Sequence, residues 1–177
     1  QRERMLARPM RNAQGTSDRR LFTFVVVETD QGVTGIGDAF GDPLLMPTII
    51  AKRLAPAAIG MDPLDLDGLW RQLCASSSFW ETAGSVMCGV SAIEVACWDI
   101  RGKCERRPVC DLLGGRKRER VEAYASDLHW EEPQQMADLA RGYVQRGFRY
   151  VKTHIGAVGE QENDLRRCEA VREAIGP

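Results

Sequence analysis

From Arg116 onward the chain repeats one pattern twice, a short β-branched and aromatic run followed by an amphipathic helical run, and this repeat constrains the fold more than anything else in the sequence. Val121–Asp127 reads as a strand, Pro133–Arg146 as a helix with Met136, Leu139, Ala140 and Val144 on its inner face. Gly147–Gly156 reads as a second strand, and Asn163–Ile175 as a second helix carrying Leu165, Cys168, Val171 and Ile175. A crossover of this length joins parallel strands rather than a hairpin. Two consecutive βα units suggest the opening of a (β/α)8-type barrel, which takes roughly 200–250 residues or more. Only about 60 of the 177 residues follow Arg116, so the chain is expected to be truncated relative to a longer polypeptide.

The stretch before Arg116 has a different character. Leu21–Thr29 and Val33–Phe40 are two strands joined by the turn residues Thr29-Asp30-Gln31-Gly32. Gly35 and Gly37 within the second strand imply a bulge or a close backbone approach. A helix opened by Pro47 runs through Ile50, Leu54 and Ala58 to Gly60. Asp62-Pro63 is expected to cap the next helix, which carries Leu66, Leu69, Trp70 and Leu73, with Cys74–Phe79 a small-residue connection. The longest helix, 84–104, has Val86, Val90, Ile93, Cys97, Ile100 and Cys104 on one stripe, with Asp99 and Lys103 placed to pair on its flank. A short helix Val109–Leu113 closes at Gly114-Gly115. A hairpin followed by three or four helices is an α+β unit. Residues 1–18 show no periodicity and read as a loop; Met5, Leu6 and Arg8 lie in it.

The strand Gly147–Gly156 carries the chemistry. Alternation places Tyr150, Lys152 and His154 on one face and Val151, Thr153 and Ile155 on the other. An ammonium and an imidazole at i and i+2 enter one small volume, which suits a proton-transfer site as well as a wet sheet edge. Ser126, at the end of the preceding strand, sits where barrel enzymes place substrate contacts, or else caps the adjoining loop or helix. Asp127 and His129 lie near the same rim, but no pattern selects them.

Other classes of function recede. The net charge of −1 argues against nucleic acid, and the basic run Arg116–Arg120 reads as a solvated linker. Six cysteines without a CxxC pair, beside two histidines, fit neither a zinc site nor a disulfide framework and point to a reducing compartment. No apolar run reaches membrane-spanning length, so a cytoplasmic protein without a membrane partner is expected.

These landmarks resemble the enolase superfamily, in its mandelate racemase and muconate lactonizing enzyme branch. The resemblance rests on TFVVVETDQGVTGIGDAF (23–40), VSAIEVACWDIRGK (90–103) with RPVCDLLGG (107–115), and GFRYVKTHIG (147–156). It implies an α+β capping domain over residues 1–115, a β-hairpin or meander followed by a three- to four-helix bundle. This would join the first two βα units of a (β/α)7β TIM-like barrel over residues 116–177. It further implies Mg²⁺ held by carboxylates from the third, fourth and fifth barrel strands, a small carboxylate substrate such as a sugar acid, and a homo-oligomer. Those carboxylates fall outside this chain, so none of its residues is assigned to the metal. The implied chemistry is abstraction of the proton α to a carboxylate, by an acid-sugar dehydratase first and a racemase or epimerase second. The alternative is a non-catalytic capping-domain fragment that binds a partner.

In this branch the second barrel strand typically ends in Lys-x-Lys, and its second lysine is a base. Lys152 matches the first lysine, and His154 stands in place of the second. The substitution changes the chemistry, since an imidazole has a reference pKa near 6.5 against about 10.4 for lysine. His154 is read as a base or acid, as a substrate contact, or as the mark of a lost function.

Overall fold

The computed structural model describes residues 2–12, 15–79, 81 and 83–177. They divide into two compact units, one of Gln1–Arg4 with Leu21–Lys117 and one of Met5–Arg20 with Arg118–Pro177.

The strands β1 (Arg2–Asn12), β2 (Gly15–Glu28) and β3 (Thr34–Ala39) form a sheet in that order. The expected loop over residues 1–18 is thus corrected: it supplies β1 and the start of β2. Backbone groups carry strand pairing, so a run in which Arg, Glu and Asn interrupt the apolar residues can form a strand without the alternation that would announce it. The side chains of Met5, Leu6 and Arg8 lie outside the described residues. β2 and β3 pair in unbroken register from Thr23↔Ala39 to Glu28↔Thr34. Their turn is closed by Gly32 N–H on Thr29 O and Val33 N–H on Thr29 Oγ1, both 3.0 Å, with Gly32 at φ 76°.

The glycines of β3 answer the question their sequence raised. A Cβ on Gly37 would stand 1.8 Å from Ala92 O, and one on Gly35 2.0 Å from Ala96 O. The strand therefore lies directly on the backbone of α4 (Gly84–Glu105), and the two glycines mark a close approach rather than a bulge. Asp99 and Lys103 do pair, at 2.8 Å, and they also fasten the strand to the helix. Ile36 N–H donates to Asp99 Oδ2 at 3.0 Å and Lys103 Nζ donates to Thr34 O at 2.7 Å. The bond from Lys103, helped by the Ile36 amide, holds the Asp99 carboxyl below its ordinary value.

The helical part begins with α1 (Met46–Ile49), a π-helical turn Ile50–Leu54 and α2 (Ala55–Ala58), ending at Gly60 with φ 86°. α3 (Leu66–Ser77) is capped by Asp65, which accepts from Gly68 N–H at 3.0 Å. The expected cap Asp62 instead accepts from Leu64 N–H in a tight turn, and the supposed connection from Cys74 is the last turn of the helix. α5 (Val109–Leu112) follows α4. Met46, Leu54, Leu66, Leu69, Leu73, Val86, Val90, Ile93 and Cys97 join Val25 and Ala39 in one core, while Trp70 is turned outward. Each such aliphatic side chain contributes about 1.5–3 kcal/mol on full burial.

Of the six cysteines, Cys97 is buried and Cys104, Cys110 and Cys168 are exposed, which removes Cys104 from the stripe on which it was expected. Burial, assisted by nearby Glu94, raises the Cys97 thiol to about 11. At pH 8 iodoacetamide should therefore alkylate the three exposed thiols at least ~100-fold faster than Cys97, because only the thiolate reacts. Peptide masses over a time course test this, and equal rates would contradict it. Because the folded state keeps this proton longer than the unfolded chain, Cys97 favours folding below pH 9 and less so as pH rises towards 11.

In the second unit β4 (Ala125–Leu128) and β5 (Val151–Thr153) pair in parallel, Ala125 opposite Val151 and Leu128 opposite Thr153, so β4 carries one extra residue. Both strands are shorter than the sequence suggested: Val121, Tyr124 and Ile155 are exposed. α6 (Pro133–Gln145) follows β4 and α7 (Gln161–Ile175) follows β5. Their core is Leu128, Met136, Ala140 and Val171, with Leu139, Val151 and Ile175 against it. Val144 lies outside this core, largely exposed. The inner face of α7 also differs from expectation: Leu165 and Cys168 point outward, and Asp164 and Arg167 are buried in their place. Among the described residues no helix is long and apolar enough to cross a membrane.

Candidate active site

Parallel pairing brings the C-terminal ends of β4 and β5 to one edge. Ala125 is buried and Val151 packs against the helices, so Ser126 and Lys152, the next residue on each strand, point to the opposite face. There Lys152 Nζ donates to Ser126 Oγ at 3.0 Å. The sequence placed both residues on the rim separately, and the register unites them.

One residue beyond each strand stands a histidine. Thr153 Oγ1 donates to Leu128 O at 2.8 Å, which keeps the two strand ends in step. The rings of His129 and His154 consequently face each other at 6.1 Å between centroids and 6° from parallel. They are the only two histidines in the sequence. His129 was not selectable from the sequence, because the extra residue of β4 shifts its phase. Asp127 forms part of β4, and its side chain lies outside the described residues.

The arrangement is an exposed ammonium, a hydroxyl and two partly buried imidazoles on one rim. Such a set can hold an anionic group and exchange a proton with a neighbouring carbon. Among the described residues no group of three or more His, Cys, Asp or Glu side chains could hold a metal ion. The residues present do not by themselves fit a Mg²⁺ site.

The family model described as Mandelate racemase / muconate lactonizing enzyme, N-terminal domain, matches residues 1–114. The chain belongs to the mandelate racemase / muconate lactonizing enzyme family. It is 35% identical over 179 residues to a D-galactarolactone cycloisomerase of Agrobacterium fabrum, covering 99% of this chain and 47% of that protein. With a D-galactonate dehydratase family member of Streptomyces bingchenggensis it shares 34% identity over 146 residues, 81% of this chain and 35% of the relative. A solved family structure from Roseovarius nubinhibens, complexed with magnesium, superposes with a TM-score of 0.80 at 26% identity, covering 97% of this chain and 47% of that one. The chain thus spans less than half the length of these family members. The matched region has the mixed α/β content of the enolase-superfamily N-terminal domain.

Proposed function

We propose that the complete polypeptide is a Mg²⁺-dependent enzyme that abstracts the proton α to the carboxylate of a sugar acid, acting as an acid-sugar dehydratase. Residues 1–115 are its capping domain, and 116–177 are the first two βα units of its (β/α)7β barrel. The observation that carries this reading is the placement of two pairs, Lys152 with Ser126 and His129 with His154, at the C-terminal ends of two parallel strands. That edge is where barrel enzymes conduct their chemistry. The relatives' acid-sugar and sugar-lactone substrates support the substrate class, and the magnesium complex of the Roseovarius protein supports the metal.

In this reading the Lys152 ammonium faces the anionic end of the substrate and offsets charge as it develops, with Ser126 fixing the direction of the Nζ–H bonds. His154 takes the α-proton on a ring nitrogen. The electron pair of the C–H bond forms the Cα–Cβ double bond as the β-hydroxyl leaves as water, carrying the proton that His154 has taken, and the resulting enol ketonises to the 2-keto-3-deoxy acid. His129 offers a second imidazole against the first. The ligands of the metal are not among these residues.

The test uses the complete polypeptide with Mg²⁺ in D₂O and a panel containing D-galactonate, D-mannonate, arabinonate and D-galactarolactone. Proton NMR should show loss of the α-proton signal and formation of a 2-keto-3-deoxy acid from at least one aldonate. Neither turnover nor exchange with any of them would overturn the proposal.

A further inference from the structure

The segment His154-Ile155-Gly156 is held at both ends by side chains that meet in a single buried group. Trp130 Nε1–H donates to His154 O. Gly156 N–H donates to Asp164 Oδ2 at 2.9 Å. Between these two holds lies Arg167. Its guanidinium stands 4.8 Å from the Trp130 ring centroid, and its Nη1 lies 3.1 Å from Asp164 Oδ1. Nη2 reaches Glu160 Oε2 at 3.1 Å and Nε donates to Glu131 O at 3.3 Å. Trp130, Asp164 and Arg167 are 5%, 7% and 8% exposed, and Ile155, between the two holds, is 64% exposed.

This group is difficult to explain by stability alone. Burying an ion pair costs several kcal/mol of desolvation per ion, and apolar residues of similar volume often do as well. The same helix carries Leu165 and Cys168 one residue along, and both are turned to the outside. Apolar packing has no direction, whereas an indole N–H, a carboxylate oxygen and a planar guanidinium fix positions by geometry. What they fix here is the backbone on either side of Ile155, and with it the point from which the His154 ring projects.

We propose that Arg167, acting through Trp130 and Asp164, is a positioning residue that sets the His154 ring for proton transfer. The inference rests on the proposed role of His154. A misplacement on the order of 1 Å can cost about 100-fold in rate, so a backbone brace of this kind has kinetic consequences.

The decisive variant is Trp130→Phe, which removes the donor to His154 O and keeps an aromatic face for Arg167. In the complete polypeptide it should lower kcat for α-proton exchange about tenfold with KM within twofold, on the panel member that wild-type protein exchanges fastest. Amide hydrogen exchange at Gly156 should quicken about tenfold, and the His154 ring ¹⁵N resonances should shift; neither measurement needs a substrate. Arg167→Lys keeps the charge without the planar fork and should reproduce all three effects more strongly. Unchanged Gly156 exchange and His154 resonances in Trp130→Phe overturn the brace. So does unaltered turnover in Trp130→Phe where His154→Asn is inactive. If His154→Asn retains full exchange, the role of His154 fails instead, and the two failures are distinguishable.

Discussion

Replacing His154 by Asn in the complete polypeptide is expected to reduce α-proton exchange by about 10²–10⁴-fold, the usual contribution of a positioned general acid or base. Asn keeps much of the size and hydrogen-bonding capacity of the imidazole but cannot accept a proton at neutral pH. Binding should survive, because the cation at Lys152 and its Ser126 partner are untouched, so the loss should fall on kcat rather than KM. Folding should also survive: the residue is only partly buried, and its backbone carbonyl, not its ring, receives the Trp130 bond. Exchange within twofold of wild type would reduce His154 to a bystander. Its stacked neighbour gives an internal comparison. Loss of activity in His129→Asn but not in His154→Asn would move the proton-transfer role one strand earlier, on the same rim.

The largest effect on stability is expected at Gly37. An alanine Cβ there would stand 1.8 Å from Ala92 O, 2.8 Å from Ala92 C and 3.1 Å from Ala96 N, all backbone atoms that no rotamer change can move. Strand and helix must separate, and separation breaks the Ile36–Asp99 and Thr34–Lys103 bonds together. Overpacking of this kind with loss of a hydrogen-bonded clip places the cost of Gly37→Ala at about 3–5 kcal/mol. Gly142 provides the contrast, since it lies within α6 and a methyl group there would meet nothing within 4 Å. At that position the same substitution should stabilise by about 0.5–1 kcal/mol through helix propensity. Urea unfolding of both variants measures the pair, and a Gly37→Ala midpoint equal to wild type would refute the close approach.

The sequence was most legible where a side-chain pattern reports its own environment. The stripe Val86, Val90, Ile93, Cys97 and Ile100 announced α4 to within a residue, because about four turns of consistent burial leave little freedom in phase. The turn at Thr29–Gly32 was equally clear, since Gly32 occupies a positive φ. Legibility failed where backbone pairing or mixed polarity decides. β1 has no apolar alternation to read. In α7, Leu165 and Cys168 offered an apolar stripe as good as the real one, and the true inner face holds an ion pair. An apolar count ranks Asp164 and Arg167 as surface residues, because their burial depends on partners distant in sequence, Trp130, Glu131 and the Gly156 amide.

Local information in the chain therefore reached as far as the order of most strands and helices, the likeness to its family, and the placing of Lys152 and His154 near one strand end. Periodicity and turn chemistry contain that much, since they depend on residues a few positions apart. Tertiary packing was needed to bring Lys152 to Ser126, to face His129 with His154, and to hold the backbone between them through Trp130 and Asp164. Each of these depends on the register between β4 and β5 and on the packing of α7. A single extra residue in β4 changes which side chains face one another, and no pattern within either strand records it.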